Sequence, residues 1–495
     1  MADGAAITVK GWRAFLLEIE VTIEALTPLH IGSGQALDAA LDAPLLRDLD
    51  GRPYIPGASI RGVWRHWLQG ECELLGCDRD QFDSLFGSDA NAALGRLMVG
   101  DAVLSGAASA EVRDHVRIDA KTGAAAEGAK FDSEVLAPGC AFTFHVAYEG
   151  DGPDDAELVL LSEGLRLIES GEMQVGGKGG WGWGRITSSA IRHHSFLRST
   201  DEGLAEWFQA RFGAETWTDG RPRINQNDKM AGLGPLGGRN ALSTLDFQLR
   251  LHFDGPVLVK SALPPDPPEQ EGQTTPDAVF VYTGAAKTKY LPGSSLRGVL
   301  REHACWIASV AKNEKLAVDL FGPQLYAGNA EAFRGVIQVF DGAIISGEEV
   351  YLDHVGIDRI TAGAKDGAKF AFLALESPAI DVLVRLRLRW DQKAVLALWA
   401  RVLRDLLRDS GEFWAGSGTS RGYGYLRRTE LRSVRLDLVK GGPGEAPLTF
   451  AGAECGERPG RTIWNLTASA FADLTPLWNL AAGDWNPHVA YQGGR

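Results

Sequence analysis

Apolar and polar residues alternate from Glu18 to Leu26 and again from Asp246 to Phe253, which predicts two strands, each with one buried face. Further along each half a Pro-Gly turn, Pro56-Gly57 or Pro292-Gly293, opens a helix. Ser59 or Ser295 stands near its start, and Val63, Trp64 and Trp67 supply the apolar stripe of the first. The apolar runs Leu158 to Ile168 and Ala394 to Leu407 predict a later helix in each half, followed by a glycine-rich loop and a final strand. Strand, helix, strands, helix, strand is the order of a ferredoxin-like α+β sandwich.

The same landmarks recur in the same order along both halves. Tyr54-Ile55-Pro56-Gly57-Ala58-Ser59-Ile60-Arg61-Gly62-Val63 returns 236 residues later as Tyr290-Leu291-Pro292-Gly293-Ser294-Ser295-Leu296-Arg297-Gly298-Val299. Leu85-Phe86-Gly87 is matched by Leu320-Phe321-Gly322, and Gly95 with Asp101 by Gly335 with Asp341. His115-Val116 and Ile118-Asp119 are matched by His354-Val355 and Ile357-Asp358, and Gly128-Ala129-Lys130-Phe131 by Gly367-Ala368-Lys369-Phe370. The glycine-rich run from Gly176 to Gly184 corresponds to Gly416 to Gly424. The chain therefore reads as a tandem duplication: residues 1–190 as the first domain, 191–240 as linker or insertion, 241–435 as the second domain and 436–495 as a C-terminal extension. The linker holds one short helical stretch around Leu204 to Phe212. In the extension, Trp464, Trp478 and Trp485 are expected to pack onto a neighbouring surface.

Composition narrows the function. With 495 residues and 45% hydrophobic content there is enough apolar material for two or three cores. Lys and Arg number 50 against 64 Asp and Glu, a formal charge of −14, so any nucleic-acid contact has to be a local basic strip. Five scattered cysteines make no disulfide framework, and Met1 to Val9 lack a basic-then-apolar leader, so a reducing cytoplasm is expected. The stretch Ala394 to Val402 is short and interrupted by Arg401, which argues against a membrane span.

Several groups could carry chemistry. Arg61 and Arg65 lie four apart on the helix after Pro56-Gly57, and Arg297 and Arg301 repeat them. With the helix-start amides around Ser59 and Ser295 they would make a phosphate site. In the glycine loops, Lys178, Trp181, Arg185, Arg421 and Tyr423 are further candidate RNA contacts, because glycine lets backbone amides approach a phosphate chain closely. Lys178 lacks the flanking frame of a nucleotide-triphosphate loop, so triphosphate hydrolysis has no support. Residues 30–50 hold Asp38, Asp42, Asp48 and Asp50 beside Gly32-Ser33-Gly34, and a loop carboxylate near RNA can organise a divalent ion or assist attack by a ribose hydroxyl. His66, Cys72 and Cys77 are candidate zinc ligands, one short of the usual four. His115 and His354 recur and leave a histidine-driven ribonuclease open.

These residues resemble the RAMP superfamily of CRISPR proteins, specifically the repeated backbone subunits of type III effector complexes. The resemblance is carried by Leu29-His30-Ile31-Gly32-Ser33-Gly34, by Leu41-Asp42-Ala43-Pro44-Leu45-Leu46-Arg47-Asp48, by Tyr54 to Gly62 and by the glycine loop at 176–184. It covers most of residues 18–188 and, less completely, 246–428. It implies tandem ferredoxin-like (RRM-like) palms that hold guide RNA and thumb hairpins that push between guide and target bases. It also implies a loop aspartate that cuts the target beside each thumb, with a divalent metal, expected to be magnesium, and the target's ribose hydroxyl as nucleophile. Guide RNA, complementary target RNA and other type III effector subunits are the partners so implied.

Carried onto this chain, the aspartate before the small residue and proline is Asp42. The thumbs are His115 to Glu134, with Asp119 and Lys130, and His354 to Leu373, with Asp358 and Lys369. The second copy lacks the Gly-x-Gly segment and has the acidic, proline-rich insertion Pro264 to Pro276; there only Pro276-Asp277-Ala278 resembles the aspartate element, which makes Asp277 its candidate. Two other readings stay open: a scaffold that positions guide RNA while another subunit cuts, and a guide-precursor ribonuclease using His115 or His354.

Overall fold

The structure is a computed structural model that describes residues 13–34, 41–88, 94–119, 122, 125–212, 217–222, 241–261, 275–283, 287–323, 333–389, 391–408, 413–439, 454–458 and 461–467. It is a mixed α/β protein with antiparallel sheets, and the chain divides into two compact units. The first comprises Met1–Arg113, Asp132–Gly177 and Trp183–Ala241, and the second Asp114–Phe131, Lys178–Gly182 and Leu242–Arg495.

In chain order the first half contains β1 (Phe15–Ala25), β2 (Tyr54–Ile55), α1 (Gly57–Glu71), α2 (Arg79–Phe86), β3 (Leu97–Val99), β4 (Ala102–Ser105), β5 (Ala110–Ile118), β6 (Ala125–Leu136), β7 (Ala141–Gly150), α3 (Leu158–Glu169), β8 (Ile186–Leu197), α4 (Asp201–Phe212) and β9 (Thr218–Asp219). The predicted alternating strand is β1, and it runs at the centre of the sheet, antiparallel to both β7 and β8. The sheet order is β2-β4-β7-β1-β8-β9. The inward residues Leu17, Ile19, Val21 and Ile23 of β1 meet the apolar faces of α1 and α3 in one core. Trp64 of α1 is 1% exposed, donates its indole N–H to the Gly164 carbonyl at 3.1 Å and meets Phe144 edge-on. A Cβ at Gly164 would press on that ring, so the glycine makes room for the tryptophan.

The second half repeats the plan with β10 (Ser243–Asp254), β11 (Pro256–Val257), β12 (Lys260–Ser261), β13 (Ala278–Phe280), β14 (Tyr282–Thr283), β15 (Thr288–Leu291), α5 (Gly293–Val310), α6 (Lys315–Phe321), β16 (Ile337–Val339), β17 (Gly342–Ile357), β18 (Ala364–Leu388), α7 (Lys393–Leu406), β19 (Tyr425–Val439), β20 (Glu454–Arg458) and β21 (Arg461–Thr467). Here β10 is central, between β18 and β19. The large indole comes from the later helix: Trp399 of α7 is fully buried and packs on Phe247.

Strand β8 runs across position 190 to Leu197, and β9 pairs with it at Arg192 and His193. Residues just beyond 190 thus extend the first sheet. In the C-terminal extension β21 pairs with β19 from Ser433 to Val439, and β20 pairs with β21. Trp464 lies on β21, partly buried against the second core, while Trp478 and Trp485 lie outside the described residues. No helix among the described residues is long and apolar enough to cross a membrane.

Candidate functional site

Each Pro-Gly turn enters its helix at a place with no room for a side chain. A Cβ on Gly57 would overlap the Val99 carbonyl and one on Gly293 the Val339 carbonyl. The Gly57 amide donates to Asp101 Oδ1 at 2.7 Å, and the Gly293 amide to Asp341 Oδ1 at 2.8 Å. The recurring aspartates therefore satisfy one of the free amides at each helix start. Pro56 and Pro292 are the N-cap residues and make no side-chain capping bond; Ser59 and Ser295 follow in the first turn, each with its amide bonded to the proline carbonyl.

The paired arginines hold the protein together. Arg61 Nη2 donates to the Phe86 carbonyl at 2.6 Å, with the guanidinium over the Phe86 ring. Arg297 makes the same bond to the Phe321 carbonyl and lies over that ring, and Arg301 donates to the Gly322 carbonyl at 2.9 Å. Carbonyls at a helix C-terminus lack intrahelical partners, so these arginines cap α2 and α6. The expected phosphate grip therefore begins with part of its donors spent: the Asp101 and Asp341 carboxylates take helix-start amides, and the carbonyls take arginine N–H groups. Arg65 is half-buried on the same helix as Arg61.

The glycine loops serve first to let the chain approach itself. A Cβ on Gly184 would overlap the Val175 carbonyl, and one on Gly424 the Ala415 carbonyl. Gly176 and Gly416 are pressed in the same way against the carbonyls of His30 and Leu258. The amides of Gly177 and Ser417 bond to those two carbonyls, at 2.9 and 2.6 Å. Arg185 Nε donates to the Gly171 carbonyl at 2.9 Å, so this candidate RNA contact too has a bond inside the fold. The turn between these anchors is a short 3-10 segment, Gly179–Trp181 or Thr419–Arg421.

Within the second unit that first turn packs on arginines. A Cβ on Gly179 would sit 2.7 Å from Arg334 Nη2, and one on Gly180 would sit 3.6 Å from Arg297 Nη2. Burial pushes Arg334 down to about 10; burial, then the neighbouring Arg301 and Arg334 charges, does the same to Arg297. Arg334 was missed in the sequence because no repeated motif marks it.

The two thumb hairpins are built alike. In the first, β5 pairs with β6, and in the second β17 pairs with β18. His115 stacks on Phe131 and His354 on Phe370, each with centroids 5.0 Å apart. The first stack is continued by Trp181, 4.7 Å from His115, with Lys178 Nζ over both Phe131 and Trp181. In the second, Tyr423 Oη bonds to His354 Nε2 at 2.5 Å and Arg421 lies over Phe370 and Phe372. Asp119 Oδ1 accepts from the Thr122 amide, and Asp358 Oδ1 from the amides of Ile360 and Thr361, so both aspartates hold hairpin turns. Lys130 with Asp114 and Lys369 with Asp353 are exposed ion pairs at 3.4 Å. Toward the tips Val116, Ile118, Val355, Ile357 and Ile360 are about half or more exposed.

Beside these hairpins lie the candidate cutting aspartates. Asp42 is exposed; its amide donates to Asp132 Oδ1 at 2.8 Å, and its Oδ2 accepts from the Asp132 amide at 3.0 Å. Asp277 stands in the corresponding place: its Oδ2 accepts from the Ala371 amide at 2.7 Å and its own amide donates to the Ala371 carbonyl. Asp132 and Ala371 are equivalent positions of the two thumb strands, separated like Phe131 and Phe370. Asp48 instead closes a turn, accepting from the amides of Asp50 and Arg52, and Asp38 lies outside the described residues. Near the Asp42 loop, His30 is 7% exposed and its Nδ1 bonds to the Glu134 carbonyl at 2.7 Å.

Of the zinc candidates, Cys72 and Cys77 lie together while His66 is on the helix surface. His66 is exposed on α1, while Cys72 and Cys77 are buried with their thiols bonded to backbone carbonyls. No group of three or more metal-binding side chains occurs among the described residues.

A protein with two α+β repeats, each carrying a glycine loop, a hairpin and a loop aspartate at its base, is thereby defined. The sequence model of the RAMP superfamily matches residues 22–187 and 251–427, and the chain belongs to that family. Among individual proteins it is similar to the CRISPR system Cms endoribonuclease Csm3 of Methanocaldococcus jannaschii, with 27% identity over 217 residues, 38% of this chain and 82% of the relative.

Proposed function

We propose that the protein is a guide-RNA-binding backbone subunit of a type III CRISPR effector complex, and that it cuts complementary target RNA beside its thumbs with Asp42 and Asp277. The observation that carries this reading is the placement of those aspartates: each accepts a hydrogen bond from the amide of the equivalent thumb-strand residue, 132 or 371. A sequence signature intact in one copy and degraded in the other thus ends in the same position in both. The likeness to an endoribonuclease of a CRISPR system adds support.

In this reading each repeat is a ferredoxin-like palm. The order β4-β7-β1-β8 in the first repeat, with α1 and α3 as the two connections, is the arrangement such a palm requires. The exposed aliphatic residues at the hairpin tips suit a wedge between stacked bases. The glycine turns, with Lys178, Arg421 and the neighbouring arginines, supply local positive charge on a chain whose total is −14.

Cleavage proceeds by attack of the target's 2′-hydroxyl oxygen on the adjacent phosphorus, with the bond to the 5′ oxygen breaking to leave a cyclic phosphate and, as that oxygen takes a proton from water, a 5′-hydroxyl end. The carboxylate of Asp42 or Asp277 orients the attacking hydroxyl and accepts its proton. Oxygen donors suit magnesium, which is commonly held by one or two carboxylates together with phosphate oxygens, and the exposed Asp42 carboxylate is a donor of that kind. Bound there, the ion would offset the charge that develops on the phosphate.

The test is cleavage of end-labelled complementary RNA by the reconstituted guide complex, with and without divalent metal, comparing wild type, Asp42→Ala, Asp277→Ala and the double variant. Each single variant is expected to remove a different band. A ladder that survives in the double variant would make the chain a scaffold.

A further inference from the structure

The two cutting loops are held by different means. In the second repeat the thumb strand meets the chain around Asp277 with its backbone: the Ala371 amide donates to Asp277 Oδ2, the Asp277 amide bonds to the Ala371 carbonyl, and Ala278 and Val279 continue as a parallel pairing with Phe372 and Leu373. The Ala371 side chain takes no part in it. In the first repeat the thumb strand reaches the loop with carboxylates. Asp132 Oδ1 accepts the Asp42 amide at 2.8 Å, Glu134 Oε2 accepts the Leu45 amide at 2.9 Å, and the Glu134 amide adds a backbone bond to the Ala43 carbonyl. The residues at the matching places of the second repeat, Ala371 and Leu373, have no side-chain acceptor.

We propose that Asp132 is the positioning residue of the first cutting site: its carboxylate fixes the backbone of Asp42, and the second site has no side-chain counterpart. The proposal rests on the reading that Asp42 cuts. An exposed loop carboxylate has to meet the ribose hydroxyl in a defined direction, and the two bonds between residues 42 and 132 set both its backbone and one of its oxygens. Removing the Asp132 carboxylate frees the Asp42 amide but leaves the Asp132 amide in place, so the loop loosens while the strand remains.

In the assembled guide complex, Asp132→Ala is expected to slow single-turnover formation of the Asp42-dependent band by about 10- to 100-fold. Affinity for guide and target RNA should not change. Asp132→Asn keeps an oxygen that accepts the same amide bond, so it should restore the rate to within a few fold. A rate for Asp132→Ala within twofold of wild type overturns the proposal. So does an Asp132→Asn variant as slow as the alanine variant, since the charge and not the amide bond would then be at work. Loss of guide-RNA affinity in Asp132→Ala would mark a general folding role and would also overturn it. Asp42→Ala in the same series separates the two claims: a surviving band there refutes the reading of Asp42 itself, whereas a lost band with Asp132→Ala unchanged refutes only the positioning role.

Discussion

Arg61 and Gly184 show how individual residues with an RNA-binding look can be spent on the fold. Arg61 joins the end of α2 to α1 by a bond to the Phe86 carbonyl, reinforced by the ring beneath it. Replacing it with alanine should lower stability by about 1–3 kcal/mol, the usual cost of a lost charged hydrogen bond, read as a shift in urea midpoint. Gly184 has φ near +83° and faces the Val175 carbonyl, so Gly184→Ala combines backbone strain with a clash. A cost of about 2–4 kcal/mol is expected, measured by the same midpoint. The glycines and arginines were legible as repeated positions. Their pairing was not, because neither the repeated Leu85-Phe86-Gly87 motif nor Val175 says which backbone carbonyl an arginine or a glycine will meet.

At the scale of elements the thumb hairpins are the informative part. Their stacked histidine–phenylalanine pairs, ion pairs and turn aspartates agree between copies, which is why both segments could be found by self-comparison. Their tips leave Val116, Ile118, Val355 and Ile357 in solvent, where they contribute little to stability. Changing Val116 and Ile118 together to serine should therefore move the folding free energy by no more than about 0.5 kcal/mol per site. In the guide complex the same change should weaken cleavage at the first position and leave the second intact; equal loss at both would speak against independent wedges. The aspartate loops behave differently. Asp42 sits in a recognisable sequence, whereas Asp277 follows an insertion, is marked only by Pro276-Asp277-Ala278, and contacts the equivalent strand position.

For the whole molecule, charge governs two measurable properties. At −14 the chain repels RNA except where the glycine turns and arginines collect positive charge, so the isolated protein should bind guide RNA weakly. That binding should fall steeply between 50 and 200 mM salt, by a filter or anisotropy assay. Stability against acid follows from carboxylates paired across the sheets. A hydrogen bond from His194, with Arg211 beside it, holds the Glu18 carboxyl below its usual range; Arg192 does so for Glu20, and Arg250 for Asp381. Groups lowered in the folded state lend stability above their unfolded pKa and lose it as protons bind. The melting temperature should thus hold down to about pH 4.5 and decline below it, and a Glu18→Gln, Glu20→Gln variant should decline less steeply.

The duplication, the order of elements, the family and the Asp42 loop are written in the chain itself, because they rest on local patterns: alternation along β1 and β10, Pro-Gly helix starts and short motifs that recur at a nearly constant interval. Three-dimensional packing assigned the jobs. It spent Asp101 and Asp341 on helix starts, Arg61 and Arg297 on helix ends, and Gly176, Gly184, Gly416 and Gly424 on close backbone contacts. It also matched Asp277 to Asp42 and brought Asp132 against the first of them but not the second. Each of these depends on which backbone group lies within reach: the helix-end bonds join residues 24 and 25 positions apart, the helix-start bonds 44 and 48, and the aspartate loops 90 and 94, and such groups meet only when the elements pack.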